Sequence, residues 1–148
     1  MKNKINNNLD SGKTYNMACI FCSIISGSAP GYVISEDEDV LCIMSLEGHP
    51  LIITRRHFPN LSSMDSQTAG KLMTLAIKTA EALRLETQCQ GINLVLSDGA
   101  VAGQDVFHIH MHVKPRWLDD GVSLQWDTST AAEPKRASLA ASLVRRLA

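Results

Sequence analysis

Residues 107–113 read Phe107-His108-Ile109-His110-Met111-His112-Val113, an alternation of imidazole and apolar side chains. Successive side chains of a strand point to opposite faces. The period of two therefore predicts a β-strand with His108, His110 and His112 on one side and Phe107, Ile109, Met111 and Val113 on the other. Alternate residues of a strand stand roughly 6.5–7 Å apart, a spacing that suits different roles around one ligand. A single histidine is most simply a hydrogen-bonded structural residue. Three in alternation invite chemistry, and two readings are open. Neutral imidazoles bind metal ions, provided a further ligand comes from elsewhere. An unprotonated imidazole can also attack phosphorus and divide a difficult displacement into two easier steps.

Upstream, Gly91 admits a strand over Ile92–Leu96, and a small-residue loop, Ser97-Asp98-Gly99-Ala100-Val101-Ala102-Gly103-Gln104, leads into the histidine strand. Two strands so joined should pair antiparallel. Gly99 and Gly103 would let the backbone approach a ligand, and Ser97 and Gln104 carry donors suited to phosphate oxygens; an ordinary hairpin connection has the same composition. Further out, strands are expected at Val33–Ser35 and Val40–Met44, around the acidic turn Glu36-Asp37-Glu38-Asp39, and at Pro50–Thr54, which exits into Arg55-Arg56-His57. Ala69, Leu72, Met73, Ala76, Ala80 and Leu83 recur at helical spacing between Asp65 and about Glu86, with Asp65 or Ser63 as cap. An extended piece near Leu124–Trp126 and a helix from about Pro134 to Leu147, striped by Leu139, Leu143, Val144 and Leu147, complete the chain.

At 148 residues the chain suits one domain. With 14 basic and 15 acidic residues it offers no positive field for a nucleic-acid backbone, whereas a small anionic ligand remains open. No apolar run is long enough to cross a bilayer, and the Lys- and Asn-rich segment 1–16 lacks the apolar stretch of a signal peptide. A flexible tail, a cytoplasmic location and no membrane association are expected. The four cysteines, at 19, 22, 42 and 89, are too irregularly spaced for a disulfide framework, which leaves reduced thiols or metal ligands.

The segment Gly103-Gln104-Asp105-Val106-Phe107-His108-Ile109-His110-Met111-His112-Val113 resembles the hallmark of the histidine triad (HIT) family. The resemblance extends back through Gly48-His49-Pro50-Leu51-Ile52-Ile53-Thr54-Arg55-Arg56-His57 and Cys19-Ile20-Phe21-Cys22, and forward to Pro115-Arg116-Trp117, covering roughly residues 17–147. It implies a HIT domain over 17–148 with an α+β fold: an antiparallel sheet of about five strands, one long helix and a C-terminal helix, commonly as a homodimer. It implies a nucleotide hydrolase or nucleotidyl transferase acting on a small-molecule nucleotide. Carried over by position, His110 is the nucleophile that forms a nucleotidyl-histidine intermediate, His112 contacts the phosphate and leaving group, and Gln104, Ser97 and the Gly103 amide bind phosphate oxygens. Ile20, Phe21 and Ile24 would face the base or simply be core, and His49 lies near the nucleoside pocket or is a satisfied strand-end histidine.

Some HIT proteins hold a structural zinc, and the matching set here is Cys19, Cys22, His57 and His108. Two thiolates and two imidazoles close a tetrahedral shell and leave His110 free. Buried reduced thiols are the alternative for the cysteines, and assistance to the leaving group is the alternative for His57. No carboxylate grouping for magnesium is evident, so no divalent ion is expected in the reaction. Departures from the family pattern are Ser45 where an aspartate often meets the ribose, Ser97 in place of asparagine, and Thr54 in place of proline. Two rivals to catalysis follow: a nucleotide-binding module with little turnover, and a zinc-stabilised scaffold.

Overall fold

A computed structural model of the chain describes residues 18–125 and 129–148; the expected tail and Trp126 lie outside the described residues. The elements in order are α1 (Ile20–Ile25), β1 (Tyr32–Glu36), β2 (Val40–Met44), β3 (Pro50–Thr54), α2 (Ser66–Thr87), β4 (Gly91–Val95), β5 (His110–Arg116) and α3 (Glu133–Leu147). The strands form one antiparallel sheet in the order β1-β2-β3-β5-β4, an α+β architecture as the sequence predicts.

The β1–β2 hairpin turns where Asp37 Oδ1 accepts from the amides of Asp39 and Val40, at 2.8 and 2.9 Å. The β2 and β3 runs are apolar without alternation because both faces of these central strands are covered. On one face Val40, Cys42, Ile52, Ile109, Met111 and Val113 pack against Leu72, Ala76 and Ala80 of α2, with Phe58 among them. On the other, Leu41, Ile43, Leu51 and Ile53 pack against Phe21, Cys22, Ile24 and Ile25 of α1. The long helix starts where the Asp65 side chain accepts from the Thr68 amide at 2.8 Å, and it ends at Gln88 in the left-handed conformation. Its inward face differs from the predicted one: Met73 is exposed, and Thr68 and Thr79 are buried, the latter with its hydroxyl 3.8 Å from Cys42 Sγ.

Two other expectations change. No strand forms at Leu124 or Gln125. The C-terminal helix is present, but none of its residues is buried, so the stripe of Leu139, Leu143, Val144 and Leu147 is exposed. Among the described residues no helix is long and apolar enough to cross a membrane.

Candidate functional site

Cross-strand pairing sets which way the histidines point. His110 lies opposite Ile53 and His112 opposite Leu51, so both project from the α1 face, while Met111 opposite Ile52 turns toward α2. The buried His110 is tied at one ring nitrogen. Its Nδ1 lies 2.7 Å from the His108 carbonyl oxygen, which can only accept, so Nδ1 carries the proton and Nε2 presents a lone pair. Asp105 Oδ1 stands 4.0 Å from that Nε2. Phe21 packs edgewise on the His110 ring with centroids 5.0 Å apart, and the His112 ring follows at 5.3 Å. His112 Nδ1 meets His49 Nε2 at 2.8 Å. Burial pushes the pKa of His112 down, and the nearby His110 and His49 push it further; Glu47 and Asp105 pull the other way.

His108 shares the α1 face with His110, as the alternation predicts, but lies outside the paired strand. Strand pairing begins at His110, because the preceding backbone is used elsewhere: the Ile109 amide donates to the Phe58 carbonyl at 2.7 Å. His108 is buried among Phe21, His57 and the cysteines of α1, and Phe107 is exposed rather than part of an apolar face. Its Nε2–H donates to the Thr54 carbonyl at 2.7 Å, which leaves the Nδ1 lone pair facing Cys19 Sγ at 3.5 Å and Cys22 Sγ at 3.6 Å. His57 Nδ1 lies 3.3 Å from Cys22 Sγ, and the four donor atoms all lie within 4.8 Å of one another. In a tetrahedral zinc shell of two sulfurs and two nitrogens, donors sit roughly 3.3–3.8 Å apart. The cluster fits. Burial first, then the neighbouring His57 and His110, pull the His108 pKa down to about 4 against the opposing Thr54 hydrogen bond, so the ring is neutral near pH 7, the form a metal ion would need.

The loop before β5 holds a correction. Gln104 is buried, its Oε1 accepts from the Gly99 amide at 2.8 Å, and its Nε2 donates to the carbonyls of Pro59 at 3.0 Å and Val106 at 3.2 Å. Both amide protons are spent on the backbone, so Gln104 pins the loop and is not a free phosphate donor. Ser97 and Gly103 are brought together: a Cβ added to Gly103, at φ +90°, would lie 3.9 Å from Ser97 Oγ. The apolar trio separates. Phe21 touches the histidines and Ile20 is half-exposed, but Ile24 is core, packed so closely that a Cβ on Gly31 would come within 2.7 Å of its Cγ2. Ser45 Oγ accepts from the His49 amide at 3.2 Å and so holds the turn that carries His49.

The HIT domain family model matches residues 26–117. The chain belongs to the HIT family. It is 37% identical over 115 residues to protein hit of Bacillus subtilis, covering 74% of this chain and 79% of that one. It is 33% identical over 141 residues to the Arabidopsis thaliana adenylylsulfatase HINT3, covering 86% of this chain and 68% of that one. A crystal structure of a zinc-bound HIT protein from Mycobacterium smegmatis superposes with a TM-score of 0.69 at 36% identity, covering 76% of this chain and 85% of that one.

Three contributors to this HIT site escaped sequence reasoning. Thr54 acts through its carbonyl, which has no side-chain signature. Asp105 and Glu47 are exposed loop carboxylates that read as solvated charge until the fold sets them near His110 and His49, the latter pair 3.6 Å apart.

Proposed function

We propose that this HIT protein is a nucleotide hydrolase or nucleotidyl transferase that cleaves a phosphoramidate or phosphoanhydride bond at the α-phosphorus of a nucleotide, with His110 as nucleophile. The observation that carries the reading is the bond from His110 Nδ1–H to the His108 carbonyl, which reserves the Nε2 lone pair for attack. In the first step Nε2 forms a bond to phosphorus as the bond to the leaving group breaks, and the leaving atom takes a proton from His112. The His110 ring, now cationic, keeps its Nδ1 proton on the His108 carbonyl, with the Asp105 carboxylate near its other edge. In the second step water replaces the histidine on phosphorus, its proton returns to His112, and Nε2 is free again. Ser97 and the backbone amide of Gly103 are the groups we assign to the phosphate oxygens, Phe21 and Ile20 to the base. Replacing His110 with Ala abolishes turnover of an adenosine phosphoramidate on this reading; undiminished turnover rejects it. Because a relative is an adenylylsulfatase, an adenylyl sulfate belongs in the substrate panel beside dinucleoside polyphosphates.

Cys19, Cys22, His57 and His108 would hold zinc. The ion would supply cross-linking of α1 to the start of β5, a structural role, since four protein ligands leave no open position. Metal analysis of the purified protein, with unfolding measured before and after chelation, tests this; a metal-free protein whose stability ignores the chelator rejects it. The spent amide of Gln104 favours a second reading, nucleotide binding with little turnover. Rapid quenching distinguishes the two, because a covalent phosphohistidine forms only on the first. We also assign a homodimer, supported by the exposed apolar stripe of α3 and the open edge of β4, and sedimentation as a monomer at micromolar concentration would reject it.

A further inference from the structure

The turn between β2 and β3 brings a carboxylate to the back of the histidine pair. Gly48, at φ +80°, lets the chain fold over so that its amide donates to the Ser45 carbonyl at 3.1 Å and the Ser45 amide to the His49 carbonyl at 3.0 Å. Glu47 Oε2 then stands 3.6 Å from His49 Nε2, the same nitrogen that meets His112 Nδ1 at 2.8 Å. Glu47 is largely exposed, whereas His49 is 3% exposed and its Nδ1 has no partner among the described residues.

Glu47, His49 and His112 could be taken for a metal site, and the ring geometry argues against it. The centroids of His49 and His112 are 5.1 Å apart while the facing nitrogens are 2.8 Å apart, so both nitrogens lie close to the line joining the rings. Two metal ligands must instead aim their lone pairs at a common third point. Nitrogens that face each other head-on share a proton.

That proton has two possible owners. If His112 Nδ1 held it, His49 would carry its own proton on Nδ1, a buried N–H with nothing to accept it. Native structures rarely tolerate that arrangement. If His49 Nε2 holds it, the unpartnered Nδ1 is a bare acceptor, which is less costly, and the proton sits beside an anionic carboxylate. The second arrangement protonates His112 at Nε2, the nitrogen that faces away from His49.

We propose that Glu47 is a positioning residue: its carboxylate keeps the shared proton on His49, so that His112 accepts at Nδ1 and offers an Nε2–H to the leaving group. The benefit to turnover rests on the function proposed above, but the protonation state of the rings does not. The charged and titratable groups facing the pair are His110 and Asp105 on the His112 side and Lys114 and Glu47 on the His49 side. Glu47 and Asp105 favour the protonated forms, and His110 and Lys114 oppose them, so removing the Glu47 charge leaves Lys114 unopposed at His49.

The test is Glu47→Gln, at an exposed site where the fold is retained, followed by histidine ring ¹⁵N spectra of the full chain. Wild-type His112 is expected to show protonated Nε2 and bare Nδ1. The variant is expected to show His112 Nδ1 and Nε2 shifts moved toward each other as the tautomers mix, and a lower titration midpoint for the pair. With an adenosine phosphoramidate, kcat should fall about tenfold while KM stays within about twofold, the pattern of an interaction used only in the transition state. Wild-type His112 with a bare Nε2, ring shifts unchanged by Glu47→Gln, or an unchanged kcat overturns the proposal. If the wild type turns over no nucleotide, the proposed function falls and the ring spectra alone decide the role of Glu47.

Discussion

Ile109 lies between His108 and His110 in sequence but points the other way, into the fully buried cluster against α2. Replacing it with Ala separates what the side chain does from what its backbone does. The substitution deletes three carbons that are wholly shielded from water, worth about 2.4 kcal/mol at roughly 0.8 kcal/mol per buried methylene. Leu72, Ala76 and Phe58 are held by the helix and the sheet and can close the gap only partly, so a residual cavity term brings the expected loss to about 3–4 kcal/mol. The Ile109 amide still donates to Phe58 and its carbonyl still accepts from Thr54, so both neighbouring histidines keep their places. Urea unfolding should therefore show a midpoint lowered by that amount with an unchanged slope, while kcat on a phosphoramidate, measured well below the new midpoint, stays within about twofold. A loss under 1 kcal/mol would refute the packing account. A collapse of kcat in a still-folded variant would refute the claim that backbone bonds orient the triad.

Acidification gives a second expectation. The folded-state pKa of His108 is depressed to about 4 from 6.5, so between those values the unfolded chain binds the extra proton. The stability is whole above pH 6.5 and drains away as pH falls to about 4, by about 3 kcal/mol. Comparing urea midpoints of chelated wild type and His108→Gln across that window isolates the effect. Gln104→Ala should cost about 2 kcal/mol in thermal or urea unfolding, since it strands the Gly99 amide and takes away the side-chain donor to the Pro59 carbonyl, while the Val106 carbonyl keeps the His108 amide. Asp65→Ala removes the cap of α2 and should cost about 1 kcal/mol, read the same way.

Where an unbroken apolar run or a helical period decides structure, the sequence is a good guide. Val40–Met44 and Pro50–Thr54 announced buried strands, and Leu72, Ala76 and Ala80 a helical face. Thr79 carries no such signal, because a hydroxyl reads as solvent-facing until a partner such as Cys42 is placed opposite it. The triad is legible as chemistry, but alternation alone does not say that the ladder stops short of His108. Alternation assumes a continuous ladder, and the ladder starts at His110 because Phe58 takes the Ile109 amide from 51 residues away in sequence. Gln104 shows a different limit: an amide suits a phosphate and a loop backbone equally, and only the neighbouring carbonyls of Pro59 and Val106 tell which. The gathering of Cys19, Cys22, His57 and His108 followed from family resemblance rather than from spacing, because its members come from three separate parts of the chain.

His108 gives its ring to the cysteine cluster and its carbonyl to His110. The two gifts differ in how they can be lost. Any substitution at position 108 removes the ring, yet every amino acid carries the same carbonyl. Mutation can therefore strip the cluster of its imidazole while the orientation of the neighbouring ring is inherited by the backbone itself. The set of the His110 ring is insured against drift at the very residue on which it leans.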